Sequence, residues 1–207
     1  MKTNYEEQLS NQGVKNIRTN LAVLFIADTH GDLGFHPEWL DNLPHFDLCI
    51  LLGDNNEYDI KTVLSKIDKE KVFGVMGNHD LNNQYERLGI RNLSGGKLTI
   101  GGVKIGGIGG SFKYKDSVHY PLLTHEDSLR LADVYSDIDI LVTHDKPYTV
   151  DTIDNAHDGL KGITYAIYKN RIPLHFHGHM HKPKTTVLGN GCKSRCIYGV
   201  EVVVISS

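Results

Sequence analysis

The sequence predicts an α/β fold, because short apolar β-type runs alternate with amphipathic helical stretches and each early run ends in a polar cluster. Residues 21–27 (LAVLFIA) are continuously apolar, with β-branched and aromatic members, and read as a buried strand. Residues 46–52 (FDLCILL) and 71–76 (KVFGVM) read as the second and third strands. Between them, residues 36–43 (HPEWLDNL) and 58–70 (YDIKTVLSKIDKE) carry helical apolar spacing, with Tyr58, Val63, Leu64 and Ile67 near one face of the latter. Strand, helix, strand, helix, strand implies a parallel sheet covered on both faces.

The glycine-rich middle, residues 94–112 (SGGKLTIGGVKIGGIGGSF), separates β-branched residues by Gly-Gly pairs and reads as hairpins with tight turns. A nucleotide-cradling loop at Gly107, Gly109 and Gly110 is the weaker reading, since the spacing fits neither GxGxxG nor GxxxxGK[ST]. Residues 124–135 then form a helix, with Thr124 as N-cap and Asp127 three positions on. Residues 138–143 (IDILVT) are a strand, 147–158 a polar loop, and 160–169 a helix that stops before Pro173. Residues 174–177 make a short strand, and 184–188 and 197–205 the last ones. Without repeats, low-complexity tracts or linker-like stretches, residues 1–207 read as one domain, residues 1–20 being a polar N-terminal extension.

Lys plus Arg is 22 and Asp plus Glu is 25, a net charge of −3. That balance predicts no stable nucleic-acid or membrane partner, although a bound cation could still reverse the local charge for a small phosphorylated ligand. The first residues lack the apolar stretch of a signal peptide, and residues 21–27 are too few to cross a bilayer, so a cytoplasmic protein is expected. Three cysteines, Cys49, Cys192 and Cys196, argue against a disulfide framework. Cys192 and Cys196 read as reduced thiols, because no second Cys/His pair stands beside them at structural-zinc spacing. Histidine is the outlier, with twelve in the chain.

Five polar clusters follow expected strands: Asp28-Thr29-His30, Gly53-Asp54, Gly77-Asn78-His79-Asp80, His144, and Gly178-His179-Met180-His181. Ligands of open α/β sheets bind at the carboxyl ends of strands, so the clusters are expected to converge. Singly, an Asp after a strand is more often a cap and His144 an ordinary loop residue; five clusters in order, each after a strand, are hard to explain that way. Carboxylates, an amide oxygen and imidazoles form a donor set suited to two divalent transition-metal ions, Mn²⁺ first, with Fe, Zn, Ni or Co as alternatives. Asp28 and His30, like His179 and His181, are two apart; in extended backbone each pair would point to the same side.

The ordered set D-x-H, G-D, G-N-H-D, H and G-H-x-H resembles the calcineurin-like metallophosphoesterase superfamily, over residues 21 to about 190 with every signature position filled. The resemblance implies a four-layer α/β/β/α sandwich of two mixed β-sheets flanked by helices, with the glycine-rich hairpins and the C-terminal strands in the second sheet. It implies Asp28, His30, Asp54 and His181 at one metal, and Asp54, Asn78, His144 and His179 at the other, with Asp54 bridging. A hydroxide shared by the two ions would attack phosphorus, and His79 would protonate the leaving oxygen as general acid. Asp80 would orient the His79 imidazole and raise its pKa.

The second block, Gly53-Asp54-Asn55-Asn56-Glu57-Tyr58-Asp59, lacks the arginine of the G-D-x-V-D-R-G found in protein Ser/Thr phosphatases, which grips a phosphomonoester dianion. A small phosphoester is therefore the expected substrate, a nucleotide-like or cyclic diester ahead of a monoester. The fourth block reads Thr143-His144-Asp145-Lys146-Pro147 where relatives often have H-x-P-P; Lys146 is a solvated loop cation or a phosphate contact. Tyr114, Tyr120 and Tyr148 fall in loops and read as local packing rather than base-stacking groups, and His175 and His177 as packed or supporting histidines. A metal-free protein-binding scaffold is the remaining alternative, and the intact ligand positions with His79 argue against it.

Overall fold

A computed structural model describes residues 13–15, 20–149 and 155–206. Most of the expected extension 1–20, and residues 150–154 of the expected polar loop, lie outside the described residues.

The run LAVLFIA lies in strand β1 (Asn20–Ala27), and alternation sends its side chains into two different cores. Leu21, Val23, Phe25 and Ala27 face one apolar cluster, whereas Leu24 and Ile26 face another. β2 (Leu48–Leu51) follows the same rule: Leu48 and Ile50 point one way, Cys49 and Leu51 the other. Both strands are buried on two sides, which is why their sequences are continuously apolar.

With β3 (Val72–Gly74), β4 (Arg91–Asn92) and β13 (Gly199–Ser206), these strands form a sheet ordered β13-β1-β2-β3-β4. β13 is antiparallel to β1 and the other neighbours are parallel. A second sheet runs β11-β12-β10-β9-β6-β5, built from β5 (Lys97–Ile100), β6 (Val103–Ile108), β9 (Ile140–Thr143), β10 (Leu174–His177), β11 (Lys184–Val187) and β12 (Lys193–Cys196). The sheets pack face to face through Val23, Phe25, Ile50, Ile105, Ile140 and Val142, with the Phe25 and Phe176 rings stacked at 4.4 Å. The outer face of the first sheet is covered by α1 (Asp32–Phe35), a 3₁₀ turn (Pro37–Leu40) and α2 (Glu57–Lys66). α4 (His125–Asp133) and α5 (Lys161–Lys169) cover the second, through Ala132, Ile163, Ala166 and Ile167. The result is the α/β/β/α sandwich of two mixed sheets that the resemblance implies, where strand–helix alternation alone suggested a parallel sheet.

The glycine-rich expectation holds at β5–β6, where Ile100 pairs with Val103 across Gly101-Gly102, both at positive φ (55° and 80°). Two consecutive left-handed residues are what a two-residue hairpin turn requires. A further short ladder joins β7 (Ser111–Phe112) to β8 (Leu122–Leu123). Thr124 and Asp127 close the expected capping box at the start of α4.

Several expectations change. The stretch 36–43 is only a 3₁₀ turn, Pro37–Leu40, beside the four-residue α1. In α2 the inward face is Ile60 and Val63, while Tyr58 is 65% exposed, because Asn56 caps the helix and leaves Tyr58 in its outward first turn. α3 (Gln84–Leu88) and β4 are too short for periodicity to reveal. β12 is hidden by its composition, Lys-Ser-Arg-Cys, although Ser194 and Cys196 alternate inward. The last strand joins the first sheet instead of the second: Gly199, at φ 76°, turns the chain out of β12 and onto β1. Cys49, Cys192 and Cys196 are buried free thiols. Among the described residues, no helix is long and apolar enough to cross a membrane.

Candidate metal centre

The five clusters do converge, and both sheets supply them: β1, β2 and β3 lead into Asp28–His30, Asp54 and Asn78–Asp80, while β9 and β10 lead into His144 and His179–His181. The backbone there is not extended, as the two-apart spacing suggested. Asp28, His30, Asp54, His179 and His181 all have left-handed φ, between 47° and 67°. Each such residue costs on the order of 1 kcal/mol and persists only where surrounding bonds impose it. Those bonds are present: the Asp28 and His30 amides donate to the Gly53 and Asp54 carbonyls at 3.0 Å, and the His179 amide to Asp28 Oδ2 at 2.8 Å.

Two donor groups result. Ligand atoms of Asp28, His30 and His181 lie within 4.8 Å of one another, as do those of Asp54, His144 and His179, and each group could hold a metal ion. Asp54 Oδ2 lies between them, 3.5 Å from His144 Nε2 and 3.8 Å from His30 Nε2. Asn78 Oδ1 is 2.9 Å from His144 Nε2, on the side of the second group.

The donor atoms fit divalent cations. Among the described residues, buried Asp28 Oδ1 has no hydrogen-bond partner, and the His30 and His181 Nε2 atoms converge to 3.2 Å beside it. In the second group, His144 Nδ1 lies 2.8 Å from the Leu52 carbonyl and His179 Nε2 2.9 Å from that of Ala156. A carbonyl only accepts, so each of these nitrogens carries the proton and the opposite ring nitrogen keeps a lone pair for a ligand bond. Burial pushes the His144 pKa down to about 4, which keeps the ring neutral.

Burial, and then the charge of Asp54, raise the Asp28 carboxyl to about 8; the same two causes raise Asp80 to about 8. Burial would also raise Asp54, but the His79 amide that donates to its carboxylate helps bring it below the ordinary carboxylate range. For Asp28 and Asp80 the folded pKa exceeds the unfolded one, so their stabilising contribution is complete below about pH 4 and is lost as pH rises through about 8. The metal-free protein should therefore show a urea midpoint that falls between about pH 4 and about pH 8 and then levels, and saturating Mn²⁺ should remove much of the fall. Equal slopes with and without Mn²⁺ would contradict the fit.

His79 belongs to neither group; it is exposed, its amide donates to Asp54 Oδ1 at 2.8 Å, and its ring lies 5.4 Å from that of His30. Asp80 does not orient it. The Asp80 carboxylate accepts from the Gly77 and Asp54 amides and from Gln84 Nε2, so it ties the second loop to the third. Lys146 Nζ is bound to Thr149 Oγ1 at 2.7 Å, and Tyr148 packs against His125. His175 is buried between Thr143 and Ser194, with His177 stacked on it at 5.2 Å.

Sequence reasoning missed three supports. Fully buried Asp59 accepts from Thr29 Oγ1 and from the Gly31 and Gly34 amides, bracing the first loop. The Ala156 carbonyl fixes His179, and Tyr114 reaches Asn78. Only Asp59 left a signal, as a second acid closing the Gly53-Asp54 block.

A two-sheet sandwich with carboxylate–imidazole groups at converging strand ends defines a metallophosphoesterase-type fold. The family model described as the calcineurin-like phosphoesterase superfamily domain matches residues 21–198, and the chain belongs to that superfamily. Among solved structures, the TT1561 protein of Thermus thermophilus is 16% identical with a TM-score of 0.62, over 90% of this chain and 99% of that one. A dimetal phosphatase from Danio rerio is 12% identical with a TM-score of 0.55, over 90% and 93%. A 5'-nucleotidase from Candida albicans is 13% identical with a TM-score of 0.53, over 93% of this chain and 48% of that one. At these identities the likeness is one of fold. No curated protein matches the chain by sequence.

Proposed function

We propose that this phosphoester hydrolase is a dinuclear enzyme that cleaves a small nucleotide-like or cyclic phosphodiester. The observation that carries the reading is Asp54, whose carboxylate lies within 3.8 Å of donor nitrogens from both groups. In this reading Asp28, His30, Asp54 and His181 hold one divalent ion, and Asp54, Asn78, His144 and His179 the other, Mn²⁺ foremost. Two such ions, when bound, supply an activated water and the positive charge that neutralises phosphoryl oxygens. The chain's own contribution is to hold the donors rigid through Asp59, Asp80 and the Leu52 and Ala156 carbonyls.

His79 is the general acid. Its backbone amide, hydrogen-bonded to Asp54 Oδ1, holds the residue beside the donor groups while the side chain stays open to solvent, so it can deliver a proton to a departing oxygen. The diester preference is supported by the second block. At the position of the monoester-gripping arginine stands Tyr58, which stacks on Phe35, and its neighbours Asn56 and Asp59 cap a helix and brace a loop.

The test is turnover of bis(p-nitrophenyl) phosphate against p-nitrophenyl phosphate with Mn²⁺. Faster diester cleavage is expected; a monoester preference would overturn the substrate class, and inertness of the Mn²⁺-loaded protein toward both would overturn the enzyme. His79→Ala should keep its metals and slow esters with poor leaving groups by about 10²-fold, but activated ones far less. Equal losses on both kinds would exclude the general-acid role.

A further inference from the structure

The loop between β7 and β8, residues 113–121, carries two tyrosines that neither donor group uses. Its base is closed by the β7–β8 ladder, where the Ser111 amide donates to the Pro121 carbonyl and the Lys113 amide to that of Leu123. Its flank is fastened to the segment after His79: the Asn82 amide donates to the His119 carbonyl at 3.0 Å, and Asn82 Nδ2 to that of Val118 at 2.8 Å. The loop is therefore docked along the third cluster. It directs the Tyr114 hydroxyl to 3.5 Å from Asn78 Nδ2.

The Asn78 side chain fixes which way that hydroxyl faces. Its Oδ1 is turned to His144 Nε2, so Nδ2 is the end directed away from the donor group. Nδ2 can only donate, and the phenolic oxygen accepts from it. The phenolic proton then has no partner among the described residues, and the residue is 37% exposed. An uncommitted donor beside a candidate metal ligand suits an anionic oxygen. Lys115 adds positive charge: its Nζ lies 5.2 Å from both the Tyr114 and Tyr120 ring centroids, and among the described residues it has no carboxylate partner, whereas Lys113 pairs with Asp116.

We propose that Tyr114 is a substrate-binding residue whose hydroxyl donates to a non-bridging phosphoryl oxygen of the ester. The proposal rests on the phosphoesterase reading and extends it. A neutral donor matches the single negative charge of a diester, where a guanidinium would match the dianion of a monoester.

Tyr114→Phe removes one oxygen and leaves the ring against Lys115. The probe is diphenyl phosphate, a diester with poor leaving groups, titrated calorimetrically into Mn²⁺-loaded wild type and variant, with metal content measured in parallel. Unchanged metal content and about tenfold weaker binding are expected, from loss of one hydrogen bond to a charged group. In turnover of bis(p-nitrophenyl) phosphate the variant should raise KM with little change in kcat. Equal binding by both proteins overturns the proposal, as does a wild type that binds no diphenyl phosphate. Loss of metal in the variant also overturns it, since the hydroxyl would then act only through Asn78. Binding that depends on Tyr114 in a protein that hydrolyses no phosphoester would retain this inference and end the proposed activity; turnover with Tyr114-independent binding would do the reverse.

Discussion

Asp54→Asn is expected to lower metal content below two ions per chain and to cut turnover by about 10³-fold or more. Among the described residues, Asp54 is the side chain within reach of both donor groups, at 3.5 Å from His144 Nε2 and 3.8 Å from His30 Nε2. A carboxylate offers two anionic oxygens; an amide offers one neutral oxygen and an NH₂ that repels a cation. Loss of a shared ligand removes several kcal/mol of charge stabilisation, and each 1.36 kcal/mol is a factor of about ten in rate. The substitution also deletes the charge that helps raise Asp28 and Asp80, so both carboxyls should titrate lower in the metal-free variant. Metal analysis with turnover measurements decides the matter. Two ions per chain with wild-type turnover would refute the shared role.

Gly77→Ala is expected to be the most damaging of the small substitutions, costing about 3 kcal/mol or more. A Cβ there would come within 2.5 Å of the Asp54 backbone nitrogen and 2.7 Å of His144 Cε1, and closer still to Asp54 Oδ1. None of these atoms can retreat. The Asp54 amide is tied to Asp80 at 2.9 Å, and the His144 ring to Leu52 at 2.8 Å. Gly96→Ala is the matched control, because its nearest contact is an ordinary 3.5 Å, and it should change stability by less than about 1 kcal/mol. Urea midpoints of the two variants provide the comparison; equal midpoints would mean that the loops yield where the geometry says they cannot.

The donor set was legible because metal-binding chemistry restricts residue type, and strand periodicity told where those residues emerge. The mode of presentation was not legible. Left-handed backbone at Asp28, His30, Asp54, His179 and His181 is masked by their donor chemistry, which accounts for Asp and His equally well, whereas the glycines at 101 and 102 announce it. Supporting contacts such as Asp80 with Gly77, or Asp59 with Gly31, depend on how loops from different strands meet. The same holds for sheet membership. Residues 197–205 read as a strand, but its partner is decided by a turn at Gly199 and by an open edge on β1. β12 escaped notice because charged residues occupy its outward positions.

That last pairing has a consequence for synthesis. Asn20 lies opposite Ser206 and Ala27 opposite Gly199, so β1 receives its outer neighbour from nearly the far end of the chain. On the ribosome, β1, β2 and β3 emerge long before β13, and until it arrives the nascent chain displays a bare, strongly apolar edge. Completion of the first sheet is thus a late, long-range closure event, and the interval before it is when a growing chain is most open to pairing with a neighbour.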